Sequence, residues 1–263
     1  MLHRDGKQAE HGFVSLTPHP GGGVAAVWLD GREMTGGHDH DAKGAMTLRY
    51  AAIDRQLGIT EEKVLDARVC ECCATAMTMT PRGPLVAYRD RSDDEIRDIA
   101  FVRRNSEGNW SKPARIHPDN WKIAGCPVNG PQLASRGNYV AAAWFSAAEN
   151  KPRVNVAFSS NAGAAFGKPV RIDTGNAVGR VDLLMLADNS ALAIWIEGTE
   201  KDSGIFARRV HPDGRRGAPI KIAATSSARA SGFPRAALIG NAAYVAWTDP
   251  GTKQVKVAKV DVK

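Results

Sequence analysis

Residues 138–147 read NYVAAAWFSA: a turn residue, a run of small apolar side chains, an aromatic and a polar exit. The same arrangement recurs as GGGVAAVWLDGR (21–32), GPLVAYRDR (83–91), SALAIWIEG (190–198) and NAAYVAWTDP (241–250). The aromatics are Trp28, Tyr88, Trp144, Trp195 and Trp247, at intervals of 60, 56, 51 and 52 residues. After each comes a second run: AMTLRYAAI (45–53), EIRDIAFVRR (95–104), RVNVAFSS (153–160), GIFARRV (204–210) and QVKVAKV (254–260). These alternate with period two, the period of a strand whose successive side chains point to opposite faces. Outer strands follow in KPARIH (112–117), KPVRID (168–173) and APIKIA (218–223). Helical periodicity is nearly absent.

Four short antiparallel strands repeated at roughly fifty residues are the signature of a β-propeller, one repeat to a blade. The chain of 263 residues is therefore expected to be all-β and a single propeller domain. Its blades are expected near 9–68, 69–118, 119–174, 175–224 and 225–263. The last repeat, ending in KQVKVAKVDVK, has no clear fourth strand of its own, a place open to the N-terminal residues.

The formal charge of +7 comes from Lys and Arg scattered singly among Asp and Glu, so nucleic acid is not the expected partner. No run approaches the roughly 18 apolar residues of a membrane span. The opening MLHRDGKQAEHG shows neither the apolar segment nor the cleavage site of a signal peptide. A partner protein is left open. Four cysteines are too few for a disulfide-built fold of this size. Three of them crowd into RVCECCATAM (68–77), whose C-x-C-C spacing differs from the separated C-x-x-C pairs of a zinc ribbon.

SSNAGAAF (159–166) follows the Asp-box pattern S-x-D-x-G-x-x-W, with Asn161 and Phe166 in the Asp and Trp places. Taken with YRDRSDDEIRDI (88–99), WKIAGCPVNGP (121–131) and GRVD (179–182), it resembles the bacterial sialidase-like (BNR repeat) propellers along essentially the whole chain. The resemblance implies six blades, an exported, periplasmic or secreted protein, and exo-sialidase chemistry on an anionic sugar. In that family a tyrosine with a carboxylate is paired with three arginines that clamp the substrate carboxylate. Arg180 and Arg235 take the places of two of those arginines, and Asp90 or Asp30 that of the acid. The R-I-P motif of the first arginine is absent, and Tyr50, Tyr88, Tyr139 and Tyr244 all fall on second or third strands.

Propeller topology sorts the remaining polar residues. Segments leading into the first strand of each blade, and loops between the second and third strands, open on one face of the channel. That rule gathers His11, Cys70, Cys72, Cys73, Cys126, Asn129, Arg180, Asp182 and Arg235 with Arg89, Asp90, Arg91 and Glu95. It makes this mouth the expected binding site for a small anionic or carbohydrate-like ligand. Trp121 breaks the blade-core position of the other tryptophans and is the aromatic expected to touch ligand. Arginine–carboxylate pairs tying blades together are the competing reading for Arg180 and Arg235.

The thiols admit three readings. Cys72, Cys73 and Cys126, with His11, offer soft and borderline donors to copper or zinc. Alternatively, Cys126 forms a disulfide with Cys72 or Cys73, or all are inert buried thiols. Met34, His38 and His40 offer a second copper-type donor set.

Overall fold

The computed structural model describes residues 6–34, 44–199 and 202–262. His38 and His40 therefore lie outside the described residues.

Two compact units divide the chain at Gly130. In unit 1 (Met1–Gly130) the strands are β1 (His11–Pro18), β2 (Val24–Asp30), β3 (Met46–Ile53), β4 (Ile59–Val69), β5 (Ala76–Thr80), β6 (Gly83–Arg89), β7 (Ile99–Arg103) and β8 (Ala114–Arg115). They form two four-stranded antiparallel meanders, β1-β2-β3-β4 and β5-β6-β7-β8. In unit 2 (Pro131–Lys263) the strands are β9 (Gln132–Arg136), β10 (Tyr139–Ser146), β11 (Arg153–Ser159), β12 (Val170–Arg171), β13 (Ala177–Met185), β14 (Ala191–Gly198), β15 (Ser203–Val210), β16 (Ile220–Thr225), β17 (Arg235–Ile239), β18 (Ala242–Asp249) and β19 (Gln254–Asp261). They form two further four-stranded meanders and a three-stranded one, β17-β18-β19. These five sheets are the blades of an all-β propeller fold, and the last has three strands among the described residues. The described residues contain no α-helix, and so no helix long and apolar enough to cross a membrane.

The small-apolar runs that mark the repeat become central strands. β10 is buried from Val140 to Ser146 without a break, and β2, β6 and β14 are nearly as closed. A strand covered on both faces must be apolar at consecutive positions, and alanines let neighbouring sheets approach. Trp28, Trp144, Trp195 and Trp247 are all buried. In two blades the indole N–H is held by the acid two residues on, which a strand places on the same face. Trp28 Nε1 donates to Asp30 (2.8 Å) and Trp195 Nε1 to Glu197 (2.7 Å).

The hairpins joining third to fourth strands share one device. Asn161 Oδ1 accepts from Ala165 N and from the Ser159 hydroxyl, closing the turn of SSNAGAAF. Asp54 accepts the amides of Gln56 and Gly58, Asn105 those of Glu107 and Asn109, and Asp213 that of Arg215. Side-chain oxygens that imitate a backbone turn are why Asp and Asn favour such positions.

Within unit 1 the lead-in to β5 is fastened to β1: Ser15 Oγ donates to Thr75 O and Thr75 Oγ1 to Phe13 O. This fixes the cysteine loop, residues 70–75, between the two blades of the unit.

Candidate functional site

The cysteine loop leaves β4 at Val69 and is anchored where Cys70 N donates to Arg89 O at the end of β6. The loop turns tightly enough to bring three sulfurs together. Cys70 Sγ lies 3.5 Å from Cys73 Sγ and 3.8 Å from Cys72 Sγ, and all three fall within 4.8 Å of one another. Cys70 and Cys73 are buried, and Cys72 is half-buried. All four cysteines are free thiols, and Cys126 is exposed.

Around the sulfurs stands a ring of alternating charge. Glu95 accepts from Arg91 (Nη2 2.6 Å, Nε 3.0 Å) and from Arg97 (Nη2 2.8 Å, Nε 3.1 Å). Glu71 closes the ring, taking Arg91 Nη1 on one oxygen and Arg97 Nη1 (2.9 Å) on the other. Arg97 Nη1 also points at Cys70 Sγ, 3.3 Å away. Hydrogen bonds from the neighbouring thiols, helped by Arg97, hold the Cys70 thiol far below its usual range. The opposite happens to its neighbours: the bond to Cys70 raises Cys72, and burial pushes Cys73 up to about 12. The Cys70 sulfur thus faces a guanidinium, the setting that favours a thiolate.

Behind the ring, Arg89 is 2% exposed and spends its guanidinium on carbonyls. Nε and Nη2 donate to Asn129 O (3.0 and 2.7 Å), Nη1 to Arg97 O (2.6 Å), and its flat face covers Trp121 at 4.9 Å. Gly130 brings this segment against the cysteine loop, since a Cβ there would sit 2.0 Å from Ala74 O. Asp90 follows Arg89 and is half-buried. Burial, together with the charge of Asp66, lifts its carboxyl to about 6 against the bond from Arg91 N.

Of the residues expected at one mouth, the structure brings Arg89, Arg91, Glu95, Trp121 and Asn129 together around the cysteine loop. Arg89 and Arg91 hold carbonyls and carboxylates, and Trp121 is 7% exposed beneath Arg89. The sulfur group differs from the expected donor set. Cys70 joins Cys72 and Cys73, whereas Cys126 and His11 stand outside the cluster. His11 is turned away because its Nδ1 is bonded to Ala9 O at 2.8 Å and its Nε2 faces Asp30 Oδ2 at 3.5 Å, across the β1–β2 register pair. Cys126 forms no bond to Cys72 or Cys73. Asp30 itself is fully buried among Trp28, Arg32 and Arg49, a core ion cluster rather than an exposed acid.

Arg180, Asp182 and Arg235 belong to unit 2. A bulge in β13, with Gly179 at φ +90° and Arg180 at +54°, aims the Arg180 side chain at the loop before β17. There it donates to Ala228 O (2.8 Å), Ser227 O (2.8 Å), Gly232 O (3.2 Å) and Ser231 Oγ (2.7 Å). Arg180 is a staple for that loop, not a free clamp. Asp182 accepts Ala236 N (2.7 Å) and Leu183 N (2.9 Å), and burial raises its carboxyl. Arg235 Nη1 stands 3.9 Å from Asp182, and its side chain is 58% exposed.

Glu71 and Arg97 were not singled out as site residues by sequence reasoning, and Cys70 was placed at the mouth but left out of the metal donor set. Signals existed for two of them: Cys70 and Cys73 stand in C-x-x-C spacing, and Arg97 belongs with Glu95 to the alternating-charge run RDRSDDEIRD (89–98).

No family model matches the chain, and no curated protein matches it. Solved structures of similar strand layout are glycoside hydrolases by their descriptions. A xylan β-1,4-xylosidase from Bacillus halodurans is 9% identical over 71% of this chain, with a TM-score of 0.49. A GH32 β-fructofuranosidase from Bombyx mori is 10% identical over 89%, covering 53% of that enzyme at a TM-score of 0.47. A thermostable family-43 glycoside hydrolase is 8% identical over 95% of this chain and 89% of its own, also at 0.47. The chain spans 39% of the length of the xylosidase.

Proposed function

We propose that this propeller binds a soft metal ion, copper or zinc, through the sulfurs of Cys70, Cys72 and Cys73. The observation that carries the reading is the mutual approach of the three sulfurs within 4.8 Å. A metal held at about 2.3 Å from each of three thiolates needs sulfurs about 4.0 Å apart, so the loop is shaped for one ion with little movement. Thiolate donors select soft ions over calcium or magnesium. Binding of such an ion requires the thiols as thiolates and so releases their protons.

The test is metal analysis of protein purified under reducing conditions and reloaded anaerobically. One ion per chain is expected, lost in Cys73→Ser and retained in Cys126→Ser. A chain that takes up no stoichiometric copper or zinc, or one that loses it only with Cys126, overturns the reading.

A second reading, a small anionic or carbohydrate-like ligand and a sialidase-like hydrolysis, has one observation in its favour. Asp90 is a half-buried carboxyl raised to about 6, the range in which a carboxylic acid can protonate a leaving oxygen. Turnover of a fluorogenic sialoside, abolished in Asp90→Asn, would support it. No turnover by the unaltered protein would sink it.

A further inference from the structure

Resting on the soft-metal reading, we infer that Arg91 and Arg97 withhold the Glu71 carboxylate from the sulfur cluster and so keep the site three-coordinate, suited to Cu(I) and poor for Zn(II). Glu71 lies between two of the sulfur donors in sequence. Its Oε2 and the Cys70 sulfur share one donor nitrogen, Arg97 Nη1, which makes it the carboxylate next to the cluster.

Both of its oxygens are engaged, Oε1 by Arg91 and Oε2 by Arg97 at 2.9 Å. Arg97 cannot swing aside freely, because Glu95 fixes its other edge through Nη2 and Nε. The same Nη1 that holds Glu71 reaches Cys70 Sγ at 3.3 Å, so one N–H group stands between the carboxylate and the sulfurs. No other His, Cys, Asp or Glu among the described residues joins the sulfur group.

Coordination chemistry then separates the two ions. Zn(II) in closed protein sites is almost always four-coordinate and tetrahedral, and here it lacks a fourth protein donor. Cu(I) has the same filled d shell, a lower charge and a preference for thiolate, and three sulfurs satisfy it. Charge acts in the same direction. Three thiolates leave a net charge of about −2 on a Cu(I) complex and about −1 on a Zn(II) complex, so the adjacent guanidinium stabilises the copper form more. Removing Arg97 frees the oxygen that zinc needs and takes away the cation that copper needs.

The experiment titrates the reduced, full-length chain with Cu(I) against a Cu(I)-specific chelator and, separately, with Zn(II) against a chromophoric zinc chelator. Arg97→Met is expected to tighten Zn(II) by about tenfold and weaken Cu(I), while Arg97→Met/Glu71→Gln loses the gain in zinc affinity. Arg97→Lys, which retains the charge without the planar fork, is expected to keep Cu(I) binding and lie between the two for Zn(II). Should Arg97→Met disturb folding, Glu71→Gln alone carries the test, because it should leave both ions unchanged in the otherwise unaltered protein. Zinc affinity that is unmoved in Arg97→Met, or that falls in Glu71→Gln, overturns the inference while leaving metal binding itself intact. Failure of the unaltered chain to bind either ion overturns the soft-metal reading and the inference with it.

Discussion

The Arg97 guanidinium lies 3.3 Å from the Cys70 sulfur and is 5% exposed, so a fixed cation faces a buried thiol that it helps to hold below its usual range. Low thiol pKa ordinarily means high reactivity, but reactivity also needs access. Cys70 and Cys73 are 1% and 2% exposed, whereas Cys126 is on the surface. Alkylation of the native, reduced protein is therefore expected to label Cys126 first and Cys72 next. Cys70 and Cys73 should react only on unfolding or local opening. Peptide mass spectrometry along a time course with iodoacetamide checks the order, and early labelling of Cys70 would show that the loop opens.

Asp90 gives a pH dependence of definite sign. Its carboxyl is raised from 3.8 to about 6, chiefly by burial. A carboxyl raised on folding contributes stability that is fully present below about pH 4 and is lost as pH rises through 6. The unaltered protein should thus lose roughly 1–2 kcal/mol between pH 4.5 and 7.5 on account of this group, after allowance for partial solvation. Asp90→Asn should lack that part of the slope and be the more stable of the two at pH 7.5. Urea melts at the two pH values decide it, and equal slopes in both proteins would refute the assignment.

The blades were legible in the sequence because a propeller repeats its constraints. NYVAAAWFSA and its four relatives become central strands covered on both faces, a condition that only small apolar residues and one aromatic meet. That the last blade has three strands among the described residues was legible for the same reason. The repeat put the cysteine loop ahead of the first strand of a blade, and β5 follows it, whereas Cys70 was not among the thiols assigned to a metal. Whether Cys126 approaches Cys72 and Cys73 depends on how the segment ending at Gly130 docks, and Asn129 O on Arg89 and Gly130 against Ala74, contacts without a sequence period, hold its end. Arg180 holds main-chain carbonyls rather than the carboxylate that the tying reading expected, for a related reason. Gly179 hints at a bulge, but the direction the bulge gives the next side chain is a tertiary property.

Asp30 shows the reverse pH behaviour to Asp90. Burial pushes its carboxyl up, yet hydrogen bonds from Arg32 and Trp28 outweigh this and hold it at about 2. The stability it contributes is present above about pH 4 and is lost as pH falls toward 2. Asp30→Ala leaves Trp28 Nε1 and the guanidinium of Arg32 without this acceptor in the first blade. Loss of a buried charge partner of this kind costs roughly 3 kcal/mol. Thermal unfolding at pH 7 should register it, and a change under about 0.5 kcal/mol, the size typical of a surface substitution, would mean the cluster is not a core element.

Arg180 and Arg235 separate staple from clamp. Four acceptors between Ser227 and Gly232 receive the Arg180 guanidinium, three of them main-chain carbonyls, and Ala228 O is reached by Ser231 N and Oγ as well. Arg180→Ala should cost roughly 2–3 kcal/mol and speed amide exchange through residues 226–232 more than elsewhere. Arg180→Lys should recover little, because an ammonium cannot span acceptors set out for a planar fork. Arg235, 58% exposed and 3.9 Å from Asp182, should tolerate alanine within about 0.5 kcal/mol. If Arg180→Ala left stability and exchange untouched and instead weakened binding of an anionic sugar, the guanidinium would be a ligand clamp after all. Local loosening of the 226–232 loop without an effect on ligand is the outcome its hydrogen bonds require.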